Sequence, residues 1–243
     1  MSCSWYIRVQ IPTVHMESLK IIDEYIDVLL NSDVHLLVIC GPPGMGKSSE
    51  VLKHIQKMGL IEGIHFVYET GYMTPLAMFR SLAQARVLES PKLLIYDDID
   101  SILKNKVSVG ILKGALADVR GIRTVSYQST TSRDKDQSFE FDGKVVMLMN
   151  DISNNKMVEP LLDRGIFYNI QLRKGELETY IESCLSSLCP TLDNEERLSV
   201  WNKIKIFTSL ENFSFRTIKR AFAMYKTNPK EWYILFKKSL RTK

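Results

Sequence analysis

The chain has 243 residues, 45% of them apolar and 25% charged, with a formal net charge of +4, an ordinary globular balance for one large domain or a domain with a small appendage. No apolar run approaches the roughly 20 residues of a membrane span, and Met1-Ser2-Cys3-Ser4-Trp5 lacks the charged and apolar pattern of a leader. Cys3, Cys40, Cys184 and Cys189 fall at neither disulfide-framework nor zinc spacing, so a soluble, cytoplasmic protein without membrane contact is expected.

In chain order, Met16 to Asn31 carries Leu19, Ile22, Tyr25, Ile26 and Leu29 at helical spacing, and Asn31-Ser32-Asp33 ends that helix. His35 to Cys40 is an apolar strand. It runs into Gly41-Pro42-Pro43-Gly44-Met45-Gly46-Lys47-Ser48, a complete G-x-x-x-x-G-K-[ST] loop followed by Ser49, and a helix from Lys47 to Met58 comes next. The glycines let backbone N–H groups wrap phosphates, Lys47 reaches the β and γ oxygens, and Ser48 offers its hydroxyl to Mg²⁺. The helix aims its positive end at the anion. This arrangement specifies a nucleoside triphosphate site; the alternative is a glycine-rich turn.

A second strand is expected over Ile64 to Tyr68. Gly71-Tyr72-Met73 follows, and a helix to Arg86 opens with Thr74 as N-cap and Pro75 in the first turn. Lys92 to Tyr96 is an uninterrupted apolar run of the central parallel type, ending on Asp97-Asp98. Carboxylates at the carboxyl end of such a strand lie where ligands bind, so Asp97 can hold Mg²⁺ through its water shell and Asp98 can orient an attacking water. The alternative, a helix cap or turn, is preferred for Asp100.

A helix over Val107 to Val119 is expected, then two short strands, Arg123 to Tyr127 and Phe139 to Gly143, around the polar stretch Gln128 to Ser138 and a mobile tip. Val145 to Met149 is another buried strand and ends on Asn150. A short helix, Val158 to Arg164, is stopped by Gly165, and a fifth strand covers Phe167 to Leu172. Strands alternating with helices imply an α/β fold, a five-stranded parallel sheet between two helical layers. From Lys174 onward the patterns are helical only, at 174 to 187, 193 to 208, 214 to 226 and 229 to 240. The chain therefore divides into a nucleotide-binding α/β domain, 1 to 172, and a basic helical domain, 173 to 243. Residues 201 to 243 hold eleven Lys and Arg against Glu211 and Glu231, a balance of +9 that leaves −5 for residues 1 to 200. Such asymmetry points to a polyanion, nucleic acid first among them; the alternative is a solvated helical face.

The order GPPGMGKSS, LLIYDD, VVMLMN, LLDRG and FSFRTIKRA resembles the AAA+ ATPases over nearly the whole chain. The resemblance implies a P-loop NTPase fold with a C-terminal helical lid, and ATP and Mg²⁺ as cofactors of a hydrolase. The GPPGMGKSS loop corresponds to Walker A and Asp97-Asp98 to Walker B, with Asp98 in place of the usual Glu. An Asp-Asp pair also occurs in bacterial replication initiators of the superfamily. Asn150 matches sensor 1, where its amide could hold both water and γ-phosphate. Arg164 matches the arginine finger; read without the family it is a surface Arg capping a helix end. If the finger serves a neighbouring subunit's ATP, the active form is a homo-oligomer, a ring or helical arc such as a hexamer. Arg216 matches sensor 2, with Lys219 and Arg220 close by in sequence.

The insertion Arg123 to Gly143 resembles the pre-sensor-1 hairpin of some AAA+ proteins, superfamily 3 helicases included, with Arg133 and Lys135 at its tip able to contact a phosphate backbone; the alternative is a solvated loop in which Asp134 and Asp136 offset those charges. Gly71-Tyr72-Met73 stands where unfoldases carry a pore loop, in reversed order. The basic lid, the insertion and the Asp-Asp pair together imply a DNA transaction, such as helicase loading, initiation or motor activity in replication, and the compact length implies a viral or mobile-element version working with a partner protein. A protein-remodelling or assembly ATPase, a slow nucleotide-gated switch and a small-molecule kinase are the alternatives.

Overall fold

The computed structural model describes residues 21–128, 137–150, 159–170, 174–210 and 213–240. Helix α1 (Ile21–Asn31) leads into β1 (Leu36–Cys40), whose five residues are all buried, and the P-loop joins β1 to α2 (Lys47–Lys57). Strand β2 (Phe66–Thr70) is followed by α3 (Pro75–Ala85), which Thr74 caps through a 3.2 Å bond from the Ala77 N–H. Strand β3 (Leu93–Asp97) leads to α4 (Asp100–Lys104) and α5 (Lys106–Leu116). Strands β4 (Thr124–Tyr127) and β5 (Gln137–Glu140) pair as an antiparallel hairpin. Then come β6 (Lys144–Met149), α6 (Glu159–Leu162) and β7 (Ile166–Asn169). Four helices complete the chain: α7 (Lys174–Leu188), α8 (Asn194–Ile204), α9 (Phe215–Thr227) and α10 (Trp232–Ser239), with a 3-10 turn at Lys205–Phe207.

The main sheet is parallel with strand order β2-β3-β6-β1-β7. Because side chains alternate across a strand, Leu37, Ile39, Leu93, Ile95, Val146 and Leu148 face α1 and α2, where they pack with Ile22, Ile26, Leu29, Val51 and Ile55. Leu36, Val38, Leu94, Tyr96, Val145 and Met147 face the opposite way, against α3, α5 and the hairpin. This three-layer arrangement puts the carboxyl ends of β1, β3 and β6 side by side at one mouth. The C-terminal helices gather around Trp201, Ile204, Ile218, Phe222 and Phe236 in a cluster of their own, which Met45 of the P-loop joins. Among the described residues no helix is long and apolar enough to cross a membrane.

Three expectations are corrected. The helix expected at Val107 to Val119 is α5, which begins one residue earlier and ends at Leu116, and an unexpected short helix, α4, precedes it; Asn105 separates the two by leaving helical geometry (ψ 119°), and its side chain caps α5 through the N–H groups of Val107 and Ser108. Asp100 is the first residue of α4. Strand β2 starts at Phe66 and runs two residues past Tyr68, because His65 is still held in a turn by its N–H bond to the Ile61 carbonyl. At the base of the hairpin Arg123 is buried and donates to the carbonyls of Ala115 (3.1 Å) and Gly143 (2.8 Å), so it braces the strand. Arg133 and Lys135, expected at the tip, lie outside the described residues, as do Leu172 and the start of the first helix before Ile21.

Candidate nucleotide site

The P-loop backbone takes left-handed values at Gly44 (φ 75°) and Gly46 (φ 87°), a region glycine enters without the steric cost of a Cβ. Gly46 is the N-cap of α2 and provides no side-chain cap. The first N–H groups of this eleven-residue helix are thereby left to an anion, and the dipole adds to the attraction. Phe215 donates its N–H to the Gly44 carbonyl at 3.0 Å, so the start of α9 is docked directly on the loop.

Lys47 is buried at 5% exposure. A buried ammonium has to be partnered, and all three of its donors find acceptors: the carbonyls of Gly41 (2.7 Å) and Pro42 (3.1 Å) and Oδ1 of Asn150 (3.1 Å). Burial pulls its pKa down, and the nearby Asp98 and Asp97 carboxylates pull against that shift. The Asn150 amide is fixed by its two neighbours. Its oxygen has to face the ammonium, and its nitrogen then donates to Asp98 Oδ1 at 2.8 Å. Lys47, Asn150 and Asp98 thus form one continuous polar chain across the mouths of β1, β6 and β3.

The alternation of β3 sends Leu93, Ile95 and Asp97 to the α2 side, and Asp97 is 8% exposed. Tyr68, on the adjacent β2, donates its hydroxyl to Asp97 Oδ2. Burial is the main cause that raises the Tyr68 phenol pKa, with the bond to Asp97 next and the nearby Ser48 hydroxyl acting against them. Asp98 turns out of the strand in the left-handed region (φ 55°) and is exposed to the mouth.

A cavity of about 470 Å³ is lined by Gly44 to Ser49 along the loop and by Asp97, Asp98, Asn150 and Arg216. These residues, drawn from four separate stretches of the sequence, are brought together. Of the other loop residues, Gly41 and Pro42 supply carbonyls to Lys47, while Pro42 and Pro43 are exposed. Arg164 is not among the cavity's lining residues; it is exposed, and its guanidinium donates to the Pro160 carbonyl at 2.8 Å, capping its own helix.

Sequence reasoning missed Tyr68 and the wall opposite the P-loop. There Tyr180 of α7 donates to Glu50 of α2 at 2.9 Å, its ring lies 5.6 Å from that of Phe215, and burial pushes its phenol pKa up. Glu50 lies three residues past Lys47 on the first turns of α2, a helical position that places it beside the P-loop; nothing local in the sequence pairs it with a tyrosine 130 positions away.

The fold class implies Mg²⁺, and the donor set fits it. Among the described residues there is no cluster of three or more His, Cys, Asp or Glu able to cage a metal. Ser48 and Asp97 offer hard oxygens at the P-loop end of the cavity, which matches the way Mg²⁺ is usually held: one or two protein oxygens, with phosphate and water completing the octahedron.

No protein-family model matches the chain. It is 23% identical over 224 residues, 84% of this chain and 67% of the other, to an uncharacterized 36.7 kDa protein in the nrdC–mobD intergenic region of Enterobacteria phage T4. Among solved structures it is similar to a variant of Thermotoga maritima RuvB, with a TM-score of 0.56 and 16% identity over 92% of this chain and 70% of that one. It is also similar to the Thermotoga maritima RuvB Holliday junction branch migration motor, with a TM-score of 0.53 and 16% identity over 91% of this chain and 69% of that one. What these likenesses and the strand order show together is the fold: a five-stranded parallel P-loop α/β sheet with a helical C-terminal part, as in the AAA+ ATPase RuvB.

Proposed function

We propose that this chain is a Mg²⁺-dependent AAA+ ATPase acting on DNA as a homo-oligomer, with the division at 172/173 separating the nucleotide-binding part from a basic lid. The observation that carries the reading is the chain Lys47–Asn150–Asp98 at the phosphate-binding end of the cavity, at 3.1 and 2.8 Å. It joins a group for the β and γ oxygens to a carboxylate able to take a proton from water, through an amide that touches both. Hydrolysis requires those three roles in one place.

In this reading the loop amides and Lys47 hold the ATP phosphates, Asp98 and Asn150 place the attacking water, and Arg216 senses the γ-phosphate from α9. Ser48 and Asp97 would hold Mg²⁺, whose charge offsets that of the phosphate oxygens. Arg164, exposed and outside the cavity, suits a role in a neighbouring subunit's site better than in its own. Lys203, Lys219, Arg220, Lys226, Lys230, Lys237 and Lys238 are all exposed on the C-terminal helices, where a polyanion could reach them. The fold shared with a Holliday junction branch migration motor and the likeness to a phage protein agree with a DNA transaction. Helicase loading, initiation and motor activity in replication all fit within it.

A second reading is a slow nucleotide-gated switch. It is favoured by Asp98 being tied to Asn150 on a side chain one methylene shorter than the usual Glu. One experiment tests both: ATP turnover per chain against protein concentration, with and without single- and double-stranded DNA at low and high salt. The proposal expects turnover to rise with concentration and with DNA, and the DNA effect to fade as salt rises. A rate independent of dilution and of DNA overturns the oligomeric, DNA-directed reading, and ATP binding with negligible turnover under all conditions selects the switch.

A further inference from the structure

We infer that Tyr68 is a positioning residue for the divalent cation: its hydroxyl, bonded to Asp97, orients that metal-binding carboxylate. This rests on the nucleotide-site reading above. Two observations meet at the phenol. It donates to Asp97 Oδ2, and it is half-buried on the strand beside β3, where Phe66 and Tyr68 share the α2 face with Leu93 and Ile95. The ring therefore has little freedom to leave.

A carboxylate that offers one oxygen to a cation is free to rotate unless its other oxygen is held. Tyr68 has one proton and directs it to Asp97 Oδ2. One Asp97 oxygen is thereby held by the phenol, and the other is left to the metal or its water. Groups that orient metal ligands in this way typically contribute about 10- to 100-fold in metal affinity. Among the described residues Tyr68 makes no hydrogen bond to the loop glycines or to Lys47, so its effect should be specific to the metal.

The test is Tyr68→Phe in the full chain, with the nucleotide and the metal read separately. Binding of a fluorescent ADP is measured in EDTA, and Mn²⁺ binding to the protein–ADP complex is followed by loss of the free-ion EPR signal. The expected result is unchanged ADP affinity without metal and Mn²⁺ affinity lower by about 10-fold or more. Equal Mn²⁺ affinity in wild type and Tyr68→Phe overturns the inference, and tighter binding in the variant does so as well, because the hydroxyl would then compete with the cation. If Tyr68→Phe loses ADP binding in EDTA, the hydroxyl is structural and the inference also falls. Wild-type protein that binds no ADP under any condition would instead remove the nucleotide-site reading beneath it.

Discussion

The docking of α9 on the P-loop can be isolated by comparing two glycines that share a backbone conformation and differ in surroundings. Gly44 (φ +75°) and Gly59 (φ +78°) both occupy the left-handed region. A Cβ on Gly44 would lie 2.9 Å from Ser214 Cβ and 3.0 Å from Ser214 Oγ, whereas one on Gly59 would meet nothing within 4 Å. Gly59→Ala therefore costs only the left-handed strain, about 1–2 kcal/mol. Gly44→Ala adds an overpacking cost of about 1–3 kcal/mol, for a total of about 2–5 kcal/mol. For a chain of this size each kcal/mol lowers Tm by about 2–4 °C, so thermal unfolding followed by circular dichroism should show the Gly44 variant as clearly the less stable of the two. The clash can be relieved by moving Ser214 and the start of α9 away, which breaks the Phe215 N–H bond to the Gly44 carbonyl and opens the cavity. Binding of a fluorescent ATP analogue should then weaken in Gly44→Ala and stay at the wild-type level in Gly59→Ala. Equal loss of Tm in both variants, with nucleotide affinity unaltered in either, would refute the docking argument.

Four further outcomes are expected. Lys47→Ala should abolish ATP binding or turnover, and full activity in that variant removes the phosphate assignment. Asp98→Asn should keep the fold and ATP binding, since Asn tolerates a left-handed backbone, while losing hydrolysis; parallel loss of both would move Asp98 to a structural role. Arg164→Ala subunits mixed with Lys47→Ala subunits should regain part of the activity that each lacks alone, and no recovery at any ratio argues against a finger acting between subunits. The last concerns alkaline pH. Tyr96 is 1% exposed, and burial raises its phenol pKa above the ordinary value of 10.0. The native state then keeps a proton that the unfolded chain gives up, so this contribution is fully present below about pH 10 and is lost as pH rises towards the higher native value. Tyr68 and Tyr180 shift the same way. The urea midpoint should fall above about pH 10, with a shallower fall in Tyr96→Phe; an equal fall would show that Tyr96 ionises as readily folded as unfolded.

How much the sequence discloses depends on how local each requirement is. The P-loop was legible because its glycines, Lys47 and Ser48 are consecutive and its conformation follows from them. Asp97 was legible because a buried apolar run ending in a carboxylate has few other uses. Strand β2 was legible in face and not in length: Phe66 and Tyr68 alternate correctly, but Ile64 lies in a turn between Ile61 and His65 that depends on a His65 Nδ1 bond to the Ile61 N–H, which no periodicity reveals. That offset left Tyr68 as the last residue of a strand, when it sits two residues inside one, beside Asp97. The role of Arg123 was not legible for a related reason. In sequence it is only the first residue of a short strand, and its acceptors are carbonyls 8 and 20 positions away, while its guanidinium lies 5.5 Å from the centre of the Phe141 ring.

Asp98 shows what backbone geometry adds to a motif. In sequence it stands out only as an Asp where relatives by resemblance carry Glu, a shortening with no stated cause. In three dimensions it is one of only three non-glycine residues with positive φ among those described, at 55°, and its N–H bonds to the Leu148 carbonyl at 3.0 Å as the chain leaves β3. Asp and Asn enter that region several-fold more readily than other side chains. From there the short carboxylate reaches Asn150 directly, and the extra methylene of Glu would have to fold back to make the same 2.8 Å bond. The Asp is therefore matched to a sharper exit from the strand. Asp98→Glu is accordingly expected to lower stability by about 1 kcal/mol through the left-handed backbone and to detach the carboxylate from Asn150. A stable Glu variant with faster ATP turnover would show that the exit geometry follows the residue instead of selecting it.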